Sequence, residues 1–88
     1  MQLLVRNKVR DFDIWYRFFR EDTDAAASYG ITVDRVWRAE DDANDVYFLL
    51  NVEDRTRAEA FMARPESAEM GEKSGVIDGE IRYLIEAS

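Results

Sequence analysis

What most constrains this chain is the order in which its hydrophobic periodicities follow one another. A two-residue alternation, a helical repeat, two more alternating runs, a second helical repeat and a last alternating run fill all 88 residues. The order strand, helix, strand, strand, helix, strand implies one α+β domain spanning residues 1–88, because a second core would not fit in so short a chain. The layout that satisfies it is a ferredoxin-like βαββαβ fold, a four-stranded antiparallel sheet with both helical segments on one face.

In the first strand Leu3, Val5 and Val9 share a face that Asn7 interrupts, while Arg6 and Lys8 point the other way. Asp11 is suited to cap a helix, and Asp13 puts a further negative charge in its first turn. Phe12, Trp15, Tyr16, Phe19 and Ala26 form its core-facing stripe, and Gly30 supplies the stop. Ile14, Phe18, Ala25 and Tyr29 make a second, weaker stripe that reads as a contact surface. From Ile31 to Glu40 alternation places Val33, Arg35, Trp37 and Ala39 toward the helices and Thr32, Asp34, Val36, Arg38 and Glu40 away from them. An acidic turn, Asp41 to Asp45, then leads into the strand Val46 to Val52. Asp54 is placed to cap a helix that buries Ala58, Phe61 and Met62, and Pro65 to open a further short one. Gly71, Gly75 and Gly79 precede a last strand expected over Glu80 to Glu86.

Composition narrows the chemistry. Twelve Lys and Arg against 19 Asp and Glu give a net charge of −7, which repels nucleic-acid phosphate and anionic lipid. No apolar run approaches the roughly 18 residues of a membrane span, and Arg6 and Lys8 come too early for a signal peptide, so a cytoplasmic protein is expected. His and Cys are both absent, which removes disulfides and haem ligation by imidazole or thiolate. The acidic turn lacks the spacing and the glycine of a calcium loop and reads as a solvated hairpin. No cofactor and no metal are expected.

Helices on one face leave the other face of the sheet open. The alternation assigns to it Leu4, Arg6 and Lys8, Val36 and Arg38, Tyr47, Leu49 and Asn51, and Arg82 and Leu84. Soluble monomers seldom expose contiguous apolar patches beyond ~300–600 Å². A homodimer through this face is therefore expected, the other reading being a wet face crossed by ion pairs. RNA recognition on the same layout would need aromatic residues on the open faces of the first and third strands, where only Tyr47 stands.

Val5-Arg6-Asn7-Lys8-Val9 with Asp11-Phe12-Asp13 and Trp15, Val36-Trp37-Arg38 with the Asp41 to Val46 turn, Ala58-Glu59-Ala60-Phe61 and Arg64-Pro65-Glu66 together resemble a known group. They are similar to small bacterial proteins of the dimeric α+β barrel superfamily, which includes the antibiotic biosynthesis monooxygenase-like domains. The resemblance runs from about Val5 to Glu86 and lies mostly in fold-determining positions. It implies a homodimer whose sheets pack face to face, with a small pocket in each subunit between sheet and helices. Some such proteins are cofactor-free monooxygenases of aromatic or polyketide-like substrates, some bind or degrade haem, and many have no known activity. The chain departs from the pattern at Asn7, where similar proteins often carry His.

The expected ligand-binding residues are Asn7, Arg35, Trp37 and Tyr83 on strands, with Trp15 and Phe19 above them. An arginine among aromatic residues calls for a partner or a bound anion; otherwise the aromatics are simple core and Arg35 reaches the sheet edge. A cofactor-free oxygenase also needs a proton acceptor, and alternation alone places no Asp or Glu near the pocket. Catalytic residues stay unassigned. The function expected is binding of a small aromatic or polyketide-like molecule, with cofactor-independent oxidation as one form of it; the alternatives are a non-catalytic sensor and a protein-interaction module.

Overall fold

The structure, a computed structural model, describes residues 1–88. The chain runs through β1 (Gln2–Val9), α1 (Phe12–Glu21), α2 (Thr23–Ala27), β2 (Ile31–Ala39), β3 (Asp42–Val52), α3 (Arg55–Met62), α4 (Pro65–Lys73) and β4 (Val76–Leu84). The four strands form one antiparallel sheet in the order β2-β3-β1-β4, the ferredoxin-like arrangement.

The helix starts follow from side chains read in the sequence. Asp11 accepts a hydrogen bond from the Ile14 amide at 3.2 Å, Asp54 accepts one from the Thr56 amide at 2.8 Å, and Pro65 stands at the first turn of α4. Gly30 (φ 77°) and Gly75 (φ 83°) take the left-handed conformation that turns the chain from α2 into β2 and from α4 into β4. The first helical segment is two helices, where the sequence suggests one run to Gly30. The break falls at Asp22, whose amide still reaches the Phe18 and Phe19 carbonyls at 3.2 and 3.3 Å, while Thr23 Oγ1 donates to the Arg20 carbonyl at 2.9 Å.

The core lies between the helices and one face of the sheet. Leu3, Val5 and Val9 of β1, Val46, Phe48 and Val52 of β3, Ile31 of β2, Trp15 of α1 and Ala58 of α3 are its buried residues. Trp15 anchors it, its ring centroid 4.8 Å from that of Phe19 and 5.5 Å from that of Phe48.

Three expectations need correction. In β2, Val33 sits opposite Leu50 but Arg35 sits opposite Leu49, so Asp34 is an extra residue, a β-bulge. From Arg35 to Arg38 the side chains change face: Val36 and Arg38, opposite Phe48 and Val46, turn toward the helices, while Arg35 and Trp37, opposite Leu49 and Tyr47, turn to the open face. The acidic turn shrinks to Glu40 and Asp41, because β3 already begins at Asp42. There Asn44 ties β3 to the start of α1, accepting from the Phe12 amide at 3.0 Å and donating to the Arg10 carbonyl at 3.2 Å. The last strand begins at Val76, since the turn at Gly75 delivers the chain directly to β1.

Candidate functional site

Sheet and helices do not close completely on each other. A cavity of about 370 Å³ remains, floored by Leu3, Val5, Phe48 and Leu50 and walled by Trp15 and Phe19 of α1, Phe61 and Met62 of α3, and Met70 and Gly71 of α4. That volume lies within the ~300–1,000 Å³ range of small-molecule sites, and its lining is mostly apolar, as theirs is. One wall is open where α4 leaves β4 uncovered: Ile81 points to the helix side, opposite Val5, yet is 54% exposed.

Apart from Gly71, the lining holds only five residues that are not hydrophobic: Asn7, Asp22, Thr23, Ser67 and Ser74. Three of them are committed to backbone carbonyls. Thr23 Oγ1 donates to Arg20 at 2.9 Å, Ser67 Oγ to Phe61 at 2.6 Å and Ser74 Oγ to Gly71 at 3.2 Å. Asn7 and Asp22 are left.

Asn7 reaches the cavity from β1, opposite Gly79. Its Oδ1 lies 3.0 Å from where a Cβ at position 79 would stand, so the glycine makes room for the carboxamide. No protein group hydrogen-bonds that carboxamide, which keeps a donor and an acceptor for a ligand. Asp22 enters from the break between α1 and α2 and is the only charged residue on the lining. Its Oδ1 is 3.7 Å from Arg64 Nη2, an ion pair too long to be a hydrogen bond. Arg64 is held in place from its own side, with Nε donating to the Phe61 carbonyl at 3.0 Å and its guanidinium 4.0 Å from the Phe61 ring centroid. Burial pushes the Asp22 carboxyl above its ordinary range, and the charge of Arg64 opposes this without cancelling it.

Of the residues expected from sequence, Asn7, Trp15 and Phe19 come together on this lining. Arg35 and Trp37 do not: the bulge at Asp34 puts both on the opposite face of the sheet. Tyr83 faces the helices, opposite Leu3, but packs beneath α3 and not on the cavity wall. Its ring lies under the Arg55 guanidinium at 4.2 Å, and its buried hydroxyl has no hydrogen-bond partner. Burial, reinforced by the charge of Glu59, raises its pKa above the usual tyrosine value. Asp22 lines the cavity without being among the residues expected from sequence, although a signal for it exists. It falls three residues after Phe19 and four before Ala26, so a carboxylate interrupts the apolar stripe of the first helical segment.

On the open face Trp37 is 44% exposed and stands beside Tyr47, with Leu4, Leu49 and Leu84 on the same side. Arg6 crosses this face to Asp45 through two hydrogen bonds of 2.8 and 3.1 Å, which hold the Asp45 carboxyl below its usual range.

Solved structures share this architecture over almost the full chain. An antibiotic biosynthesis monooxygenase superposes with a TM-score of 0.75 at 13% identity, covering 99% of this chain and 98% of the other. SnoaB, a cofactor-independent oxygenase from Streptomyces nogalater, gives a TM-score of 0.73 at 12% identity, over 98% and 93% of the two chains. An uncharacterized NIPSNAP domain protein from Burkholderia xenovorans gives 0.69 at 13% identity, over 100% and 96%. No protein-family model matches the sequence, and no curated protein matches it either. The fold of this chain is the one these solved structures share.

Proposed function

We propose that the protein binds a small, flat aromatic or polyketide-like molecule in the cavity between sheet and helices and oxidises it with dioxygen, without a cofactor. The observation that carries this reading is the cavity itself: about 370 Å³ of mostly apolar space whose few polar side chains include the carboxamide of Asn7, free of protein hydrogen bonds, and the carboxylate of Asp22, paired only with Arg64 at 3.7 Å. Apolar walls favour a hydrocarbon body, and isolated polar groups orient it. The fold shared with a cofactor-independent oxygenase supports the same chemistry. In that chemistry a ring CH₂ loses a proton, and its electrons pass to dioxygen to form a hydroperoxide. Loss of water then leaves a carbonyl. One oxygen atom ends in the product and one in water, so no external reductant is needed.

The working unit in this proposal is a cytoplasmic homodimer joined through the open sheet faces. Burial of Trp37, Leu4, Leu49 and Leu84 against a second copy removes an apolar patch from water. Native mass spectrometry of freshly purified protein tests both parts. A mass of two chains with a discrete small-molecule adduct is the expected result, and Gly71→Leu, which adds a side chain where open space adjoins the cavity, should lose the adduct. An adduct retained by that variant would place the ligand elsewhere; a monomer would overturn the dimer.

A further inference from the structure

The cavity brings together an apolar bed, an anchored cation and a carboxylate whose one charged partner stands 3.7 Å away, and this combination is more specific than a binding pocket requires. Three of the cavity's polar side chains bond to backbone carbonyls. Asp22 does not. Its one partner, Arg64, stays at 3.7 Å and directs its shorter bonds to the Phe61 carbonyl at 3.0 Å and to Ser67 Oγ at 3.3 Å. Arg64 therefore holds the carboxylate mainly by its charge, at a distance longer than a short hydrogen bond.

We propose that Asp22 is the proton acceptor of this site and that the ligand is a weak carbon acid, a flat ring ketone whose CH₂ lies beside the carbonyl. This deepens the function proposed above and rests on it. The C–H bond of the bound ketone breaks, the proton forms an O–H bond on the Asp22 carboxylate, and the electron pair stays on the ligand as its enolate. Nothing is oxidised in this step. Arg64 lies beside Asp22 and is the fixed positive charge nearest the proton transfer. Asn7 supplies an N–H donor for a ligand oxygen. A carboxylate set in apolar surroundings is a stronger base than one in water, and the shift of Asp22 has that direction and that cause. Arg64 is the charged group facing Asp22 from the elements packed around it, and the remaining lining is uncharged.

The test uses 2-tetralone, a two-ring ketone whose benzylic hydrogens exchange with solvent through the enolate. The full chain is incubated with it in heavy water under nitrogen, and deuterium uptake is followed by NMR across pH 4 to 8. Wild-type protein should accelerate exchange saturably, with a rate that climbs through a single ionisation lying above the ordinary carboxylate range. Asp22→Asn should lose the acceleration by ~10²-fold or more while still binding 2-tetralone, measured by ligand-observed saturation transfer, and Asp22→Glu should restore part of it. Undiminished exchange in Asp22→Asn, or a wild-type rate that is flat across this pH range, overturns the assignment even if the variant folds poorly. A wild type that binds 2-tetralone without accelerating its exchange overturns Asp22 as the base and leaves the binding site standing. A wild type that does not bind it at all overturns both.

Discussion

Gly71 lies near the end of α4, where glycine costs a helix roughly 0.5–1 kcal/mol relative to alanine. Its φ is not positive, so the backbone does not require glycine. Packing does not require it either, because a Cβ built at position 71 meets no atom within 4 Å. Gly71→Ala should therefore stabilise the folded chain by nearly the full propensity difference, about 0.5–1 kcal/mol, with no steric penalty to subtract. For a domain of this size that corresponds to a rise in Tm of roughly 2–8 °C. The assay is thermal unfolding followed by circular dichroism, with urea unfolding to confirm that the midpoint moves while its slope does not. Protein concentration is held fixed, because association would otherwise shift both values. An unchanged or lowered Tm would refute the reasoning. It would mean that the space beside α4 is filled in solution, and that the cavity is smaller than it stands here.

Trp37→Lys changes a residue 44% exposed on the open face, so the subunit should stay folded while the dimer dissociates, halving the mass seen by sedimentation equilibrium; an unchanged mass would exclude this face as the interface. Tyr83→Phe removes a buried hydroxyl that has no partner and should be neutral or stabilising by up to about 1 kcal/mol in urea unfolding, whereas a loss of that size would show that the hydroxyl is bonded in solution. Asp45 has its folded-state pKa lowered by the hydrogen bond from Arg6, so its contribution is present above the unfolded value of about 3.9 and is lost as pH falls through the folded value. Asp45→Asn should accordingly be less stable than wild type near pH 7, with the two converging in strong acid. Parallel stability curves from pH 2 to 7 would contradict that linkage.

Much of the architecture is legible in single residues. The hydrophobic periods give the element order, Asp11 and Asp54 mark two helix starts, Pro65 a third, and Gly30 and Gly75 the turns into β2 and β4. These signals are local: a cap or a turn is decided by bonds within a few residues, so sequence alone can carry it. The cavity lining is legible only where it lies on unbroken periodic elements, as Asn7, Trp15 and Phe19 do. Arg35 and Trp37 were misplaced because alternation assumes an unbroken ladder, and the extra residue at Asp34 is defined only by what it faces on β3. The apolar residues Ile31, Val33 and Val36 do carry the phase change, yet Trp37 and Ala39 hide it.

Asp22 marks the same boundary from the other side. Its place on the apolar stripe is a property of the sequence. Its pairing with Arg64, 42 positions later, is not, because only the packing of the α1–α2 break against the α3–α4 junction brings those charges together over the cavity. By itself the sequence determined the order of helical and strand segments and the apolar stripe of the first helical segment, since these follow from short-range hydrogen bonding and from the period of apolar residues. Tertiary structure decided the register of β2, the unfilled space beneath the helices and the polar groups left free within it. Those depend on distances between segments remote in the chain, which no local pattern encodes.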